Sequence, residues 1–159
     1  MHMNGVIVKP DDLPSRLLVL RFIHLAMVAG VVMFGGVLFV ITQGRMPHEP
    51  AFQNPICQAG IVLSGASVLL AANLHRIFFR LSSVPTDLTT AFQRYNVFFL
   101  MRAAVLECGA LFAAVVTFMT QNILPFGLLI FGATALAFYR PSRGEFDRLL
   151  GGESQQEWQ

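Results

Sequence analysis

The stretch "RAAVLECGALFAAVVTF" (residues 102–118) decides the class of this chain. Only Arg102 and Glu107 interrupt a run otherwise suited to lipid. An unpaired charge at the centre of a bilayer costs about 3 kcal/mol on insertion scales, so each must have a partner, a proton or a purpose. Working outward, the composition agrees with a membrane setting. Hydrophobic residues make up 55% of the 159 positions and charged residues 13%, with 15 phenylalanines. Mean hydropathy is +0.61. Charged residues alone reach about a quarter of an ordinary soluble domain. The chain therefore reads as all-α and integral to a membrane.

Four segments have the length of a span, which takes roughly 20 apolar residues. They run over about 17–41, 56–80, 95–119 and 122–139, giving a four-helix bundle of two antiparallel hairpins in a single domain, 1–150. The first is too long for a signal-peptide core and lacks a cleavage site, so it is expected to be retained. Lys9, Arg16 and Arg21 flank its start, Arg76, Arg80 and Arg94 surround the second connection, and Arg140, Arg143 and Arg148 follow the last span. Only Arg45 lies on the other side. The positive-inside rule then places both termini and the 80–94 loop in the cytoplasm of a bacterial-type inner membrane.

The connections carry their own signals. "VPTDL" (84–88) is a helix start with an acid in the first turn, so the third helix is expected to begin near Asp87 and to protrude beyond the bilayer. Pro125 falls in the first turn of the fourth helix, where its missing N–H is tolerated. In "PSRGEF" (141–146), Ser142 and Glu145 form a capping box opening a tail helix over 142–150. Phe146, Leu149 and Leu150 give that helix one apolar face, and 151–159 reads as a frayed tail. Aligning "FVITQG" (39–44) with "TFMTQN" (117–122) sets an offset of 78 residues, consistent with a duplicated hairpin. Similar composition of apolar helices is the competing explanation.

Several polar residues fall inside the spans. Glu107 lies near the bilayer centre, about 18 Å along the helix from Tyr95, beside Ala103, Ala110 and Ala114. Small stripes of this kind permit close helix contact, so Glu107 is expected to face protein, with Ser64 and Ser67 at its depth on the second span. Arg102 is a poor intrahelical partner for Glu107 at five residues' separation, and is expected to snorkel or to pair with another helix. His24 and His75, on antiparallel spans, reach a similar depth together with Asn73. Two histidines so placed can ligate a haem b iron, but an interfacial polar layer is the preferred reading and no cofactor is expected. Met46, His48 and Glu49 form a mixed metal-ligand set in the 42–55 loop. Gly30, Gly35 and Gly36, with Gly60, Gly65 and Ala66, allow close helix approach. Cys57 near a surface and Cys108 near the midplane are too far apart in depth to pair. No nucleophile–base pair, phosphate loop, zinc motif or nucleic-acid surface is visible, so neither an enzyme nor a nucleic-acid partner is expected.

"LECGALFAAVVTFM" (106–119) resembles the carboxylate-bearing helix of rotary ATPase proteolipid (c) subunits. Glu107 is followed by two small residues, then by Phe112 and the Val115–Val116 pair. The preceding hairpin is also similar, with a small-residue helix from Gly60 to Ala72 and a basic loop. Covering roughly 58–120, the resemblance implies that Glu107 carries an ion. The chain also resembles uncharacterised bacterial four-span proteins with an arginine–glutamate third helix and an "RPS" end, here "YRPSRGEF". The leading expectation is a non-catalytic subunit or homo-oligomer of a membrane complex, with lipid and other membrane subunits as partners. Proton or cation translocation through Glu107 is the first alternative, and a small b-type cytochrome on His24 and His75 the second.

Overall fold

In a computed structural model of the chain, residues 12–42, 54–80 and 88–149 are described. Their regular structure is helical: α1 (Leu13–Ile41), α2 (Pro55–Arg80), α3 (Leu88–Thr120), α4 (Ile123–Phe138) and α5 (Arg143–Leu149). Local chemistry sets the ends. Proline stands in the first turn of α1, where its missing N–H would have no partner anyway. Pro55 opens α2, and the Asn54 side chain accepts from the Ile56 amide at 2.9 Å. Between α3 and α4 the chain reverses within two residues. Gln121 adopts a left-handed conformation (φ 50°), and the Asn122 side chain caps α4 by accepting from the Leu124 amide at 3.0 Å.

Helices α1, α2 and α3 are each long and apolar enough to cross a membrane. The chain is a small multi-span membrane protein built as a helical bundle. The fourth helix departs from expectation. At 16 residues it is about 24 Å long, short of a ~30 Å hydrocarbon core. It ends where Tyr139 leaves helical geometry (ψ 52°). Because α3 has 33 residues, its first half overshoots the end of α4. The expected start of α3 near Asp87 lies outside the described residues.

The packing is not that of two side-by-side hairpins. α3 and α4 pack along each other as a hairpin, and each also touches both α1 and α2, whereas α1 and α2 barely meet. The four helices form a rhombus in section, with α3 and α4 on the short diagonal and α1 and α2 at opposite corners. Accordingly α3 is the central post. Half of its most apolar window is buried, against 17% for α1 and 22% for α2. The reason is side-chain size on α3. Ala103, Ala110, Ala113 and Ala114 lie in the core with Leu106, Leu129 and Leu136. A Cβ on Gly109 would collide with Ser67, and one on Gly60 would stand 2.8 Å from Val116, so α2 reaches α3 only because both positions are glycine. Gly30, Gly36 and Gly65, by contrast, adjoin open space.

The overhang of α3 is covered differently. Phe92, Tyr95 and Phe99 meet Leu13, Leu17 and Leu20 of α1 and Phe146 of α5 in a second core cluster. Phe146 stands edge-on to Tyr95 with ring centroids 5.4 Å apart. The tail helix is thus docked onto the bundle by the residue that heads its apolar face.

Candidate functional site

The place where α4 stops is where the polar chemistry gathers. Chain reversal after Phe138 leaves Tyr139 against α3, and its ring faces the Arg102 guanidinium at 3.4 Å. Arg102 also lies 5.7 Å from the Phe98 ring. Its Nη1 donates to Glu145 Oε1 of α5 at 3.1 Å, an ion pair with the two side chains 11% and 26% exposed. The other carboxylate oxygen, Oε2, accepts from the Tyr95 hydroxyl at 3.3 Å. That hydroxyl in turn accepts from the Ser142 amide at 3.2 Å.

The tail's capping box is therefore only half closed on itself. Ser142 Oγ accepts from the Glu145 amide at 3.2 Å, as a capping serine should. The reciprocal bond is replaced. Tyr95 takes the Ser142 amide, and the freed Glu145 carboxylate reaches Arg102. Local capping and tertiary docking thus share the same two residues. On the other flank, Arg21 Nε of α1 donates to the Pro141 carbonyl at 3.3 Å. One turn further along α1, His24 Nε2 lies 2.8 Å from the Leu136 carbonyl oxygen. A carbonyl can only accept, so Nε2 carries the proton and donates.

The remaining expected site residues are dispersed. Glu107 is half-buried beside Leu106 and makes no hydrogen bond or ion pair among the described residues. Its expected contact with Ser64 or Ser67 does not form. Ser64 Oγ donates to the Gly109 carbonyl at 3.0 Å, and Ser67 Oγ to the Ser64 carbonyl at 2.7 Å. Two residues along a helix are about 200° apart, so the Gly109 face that meets α2 turns Glu107 away from it.

The histidine pair also separates. His24 packs edge-on to Phe99 and His75 to Phe98. With α1 and α2 at opposite corners, matched depth does not bring the rings together, and His24 Nε2 is already engaged. Asn73 donates to the Leu69 carbonyl of its own helix at 2.8 Å. Neither cysteine is in a disulfide: Cys57 is buried, with Sγ 3.6 Å from Thr120 Oγ1, and Cys108 is exposed. The Met46, His48 and Glu49 set lies outside the described residues, and among those described no group of His, Cys, Asp or Glu could hold a metal ion.

Sequence reasoning placed Arg102 and the Ser142–Glu145 box but did not join them. One signal was available: the chain has two tyrosines, and both flank Arg102 in space. A tyrosine near a membrane boundary has an apolar body and a polar tip that seeks a partner. Comparison with protein-family models, characterised proteins and solved structures finds no match.

Proposed function

We propose that the protein is a non-catalytic subunit or homo-oligomer of a membrane complex, seated in a bacterial-type inner membrane with both termini cytoplasmic. By sequence, ten of the eleven lysines and arginines fall in or beside the segments that the positive-inside rule puts on one side, with Arg45 alone on the other, which supports the orientation. One observation carries the assembly reading: Glu107 is a half-buried acid with no partner among the described residues. An ionisable residue at that depth requires neutralisation or a contact from a second chain. A neighbouring subunit that hydrogen-bonds the carboxyl satisfies it without changing this bundle.

The test compares Glu107→Gln with Glu107→Ala by subunit exchange between fluorescently labelled copies in mild detergent, alongside the mass of the purified assembly. Glu107→Gln keeps a hydrogen-bonding side chain and should leave the assembly intact. Glu107→Ala should weaken it by about 1 kcal/mol, the order found for interhelical hydrogen bonds in membranes. A wild-type protein that is monomeric and without partners, with an indistinguishable alanine variant, would sink the proposal. The same half-exposed acid favours proton or cation translocation as the second reading. Proton flux in proteoliposomes, abolished by Glu107→Gln with assembly unchanged, would select it.

A further inference from the structure

The rhombic section leaves a trough between α1 and α4 of ≈ 500 Å³, walled by Val28, Val32 and Gly35 on one side and Phe126, Ala133 and Phe138 on the other. Its one lining hydroxyl, on Thr134, is turned back onto the Ile130 carbonyl at 2.8 Å, so the surface offered is apolar. The trough opens toward lipid, since Val32 and Ile130 are exposed. At the basic end it adjoins a second, polar cleft of ≈ 460 Å³ bounded by Tyr139, Arg140, Ser142 and Glu145. Phe138, 82% exposed, lines both and forms the shared rim.

Charge is distributed to match. On α1, Arg21, His24, Val28, Val31 and Gly35 recur at intervals of three and four residues and so form one stripe. Val28, Val31 and Gly35 line the trough, and the Arg21 and His24 bonds to the α4 end pin the same stripe where the trough meets the cleft. The Arg21 bond uses Nε, which leaves both terminal nitrogens available. Arg140 stands exposed on the cleft wall. The carboxylate in the cleft, Glu145, is already matched by Arg102. An apolar track ending between two arginines fits an amphipathic anion.

We propose that the α1–α4 trough and the adjoining cleft form a binding site for one anionic phospholipid, with an acyl chain along Val28–Phe138 and the headgroup phosphate between Arg21 and Arg140. The shortness of α4 accounts for the depth of the site. With Asn122 at the opposite surface, a 16-residue α4 would fall about 6 Å short of a full span and draw Arg140 inward, so that a lipid following it would meet the trough. Juxtamembrane arginines at this position attract anionic headgroups over zwitterionic ones.

The experiment is native mass spectrometry of the full chain in mild detergent, titrated in parallel with phosphatidylglycerol and phosphatidylcholine of identical acyl chains. The wild type should retain one phosphatidylglycerol with a preference of roughly tenfold over phosphatidylcholine. Arg21→Gln with Arg140→Gln should bring the two lipids to near parity. Ala133→Phe, which fills the trough, should reduce retention of both. Millimolar inorganic phosphate should not displace the lipid, because the acyl chain holds it. Parity in the wild type, a preference that survives the double arginine substitution, or displacement by phosphate alone would each overturn the proposal. Should Ala133→Phe fail to fold, the arginine pair still decides, since both side chains are exposed.

Discussion

Arg102 and Glu107 sit five residues apart on one helix, and their fates differ because of what α4 does beside them. Arg102 lies where α4 ends, so Tyr139 and Glu145 are delivered to it. Glu107 is about 7 Å deeper along α3 and has no hydrogen-bond or ion-pair partner among the described residues. The Arg102–Glu145 bond is charge-assisted and mostly shielded from water, which gives it more weight than an exposed pair. Arg102→Gln should therefore release the tail helix, with a loss of about 1–2 kcal/mol after allowing for the exposure of Glu145. Hydrogen exchange over residues 143–149 should rise by about tenfold, and the rest of the bundle should be unaffected. Glu145→Gln should do less, because the amide oxygen can still accept from Arg102 while the amide NH2, in the place of Oε2, donates to the Tyr95 hydroxyl oxygen. Unchanged protection of the tail in Arg102→Gln would remove the ion pair as the latch. None of this pairing could be read from the two residues themselves, since Glu145 is 43 positions away along the chain and joins Arg102 only through the chain reversal after α4.

The helices were legible for a simple reason: apolar length is a one-dimensional property, and three of the four spans are long and continuous. The end of α4 was less so. Tyr139 is apolar enough to extend a hydropathy segment, yet its backbone has already left the helix. The turn before α4 is a second place where sequence gave weak guidance, because Gln121 occupies a left-handed conformation usually taken by glycine or asparagine. The Gln121 amide still donates to the Thr117 carbonyl at 2.7 Å, so the helix end is bonded as a left-handed cap requires. For an L-residue that conformation costs about 1–2 kcal/mol, part of which glycine returns as unfolded-state entropy. Gln121→Gly should thus raise stability by about 0.5 kcal/mol, visible as a higher midpoint in detergent-titrated unfolding. Gln121→Val, β-branched and ill-suited to positive φ, should lower it. A glycine variant less stable than the valine one would show that Gln121 is held by its side chain and not tolerated in spite of it.

What four spans do not specify is who sits beside whom. Equal lengths and alternating directions are satisfied by a square bundle of two hairpins and by the observed rhombus alike. The choice is made by small residues that a hydropathy reading counts only as apolar. Gly132 brings α4 so close to α3 that a Cβ there would stand 3.1 Å from the Ala110 methyl, and Gly109 and Gly60 do the same for α2 on the other side. Once α3 and α4 are this close, α1 and α2 are held apart, and the alternative in which His24 and His75 pair fails with them. Cross-linking distinguishes the two arrangements directly. In a background without Cys57 and Cys108, paired cysteines at 110 and 132 should join α3 to α4 under mild oxidation, because that spacing needs only a slight outward shift to reach disulfide geometry. A short bifunctional reagent should join 35 to 129, where a Cβ on Gly35 would contact Leu129 at 3.2 Å. The pair at 24 and 75 should remain unlinked within one chain, despite matched depth. A chain-internal 24–75 link formed as readily as 110–132 would restore the square bundle and the histidine pair.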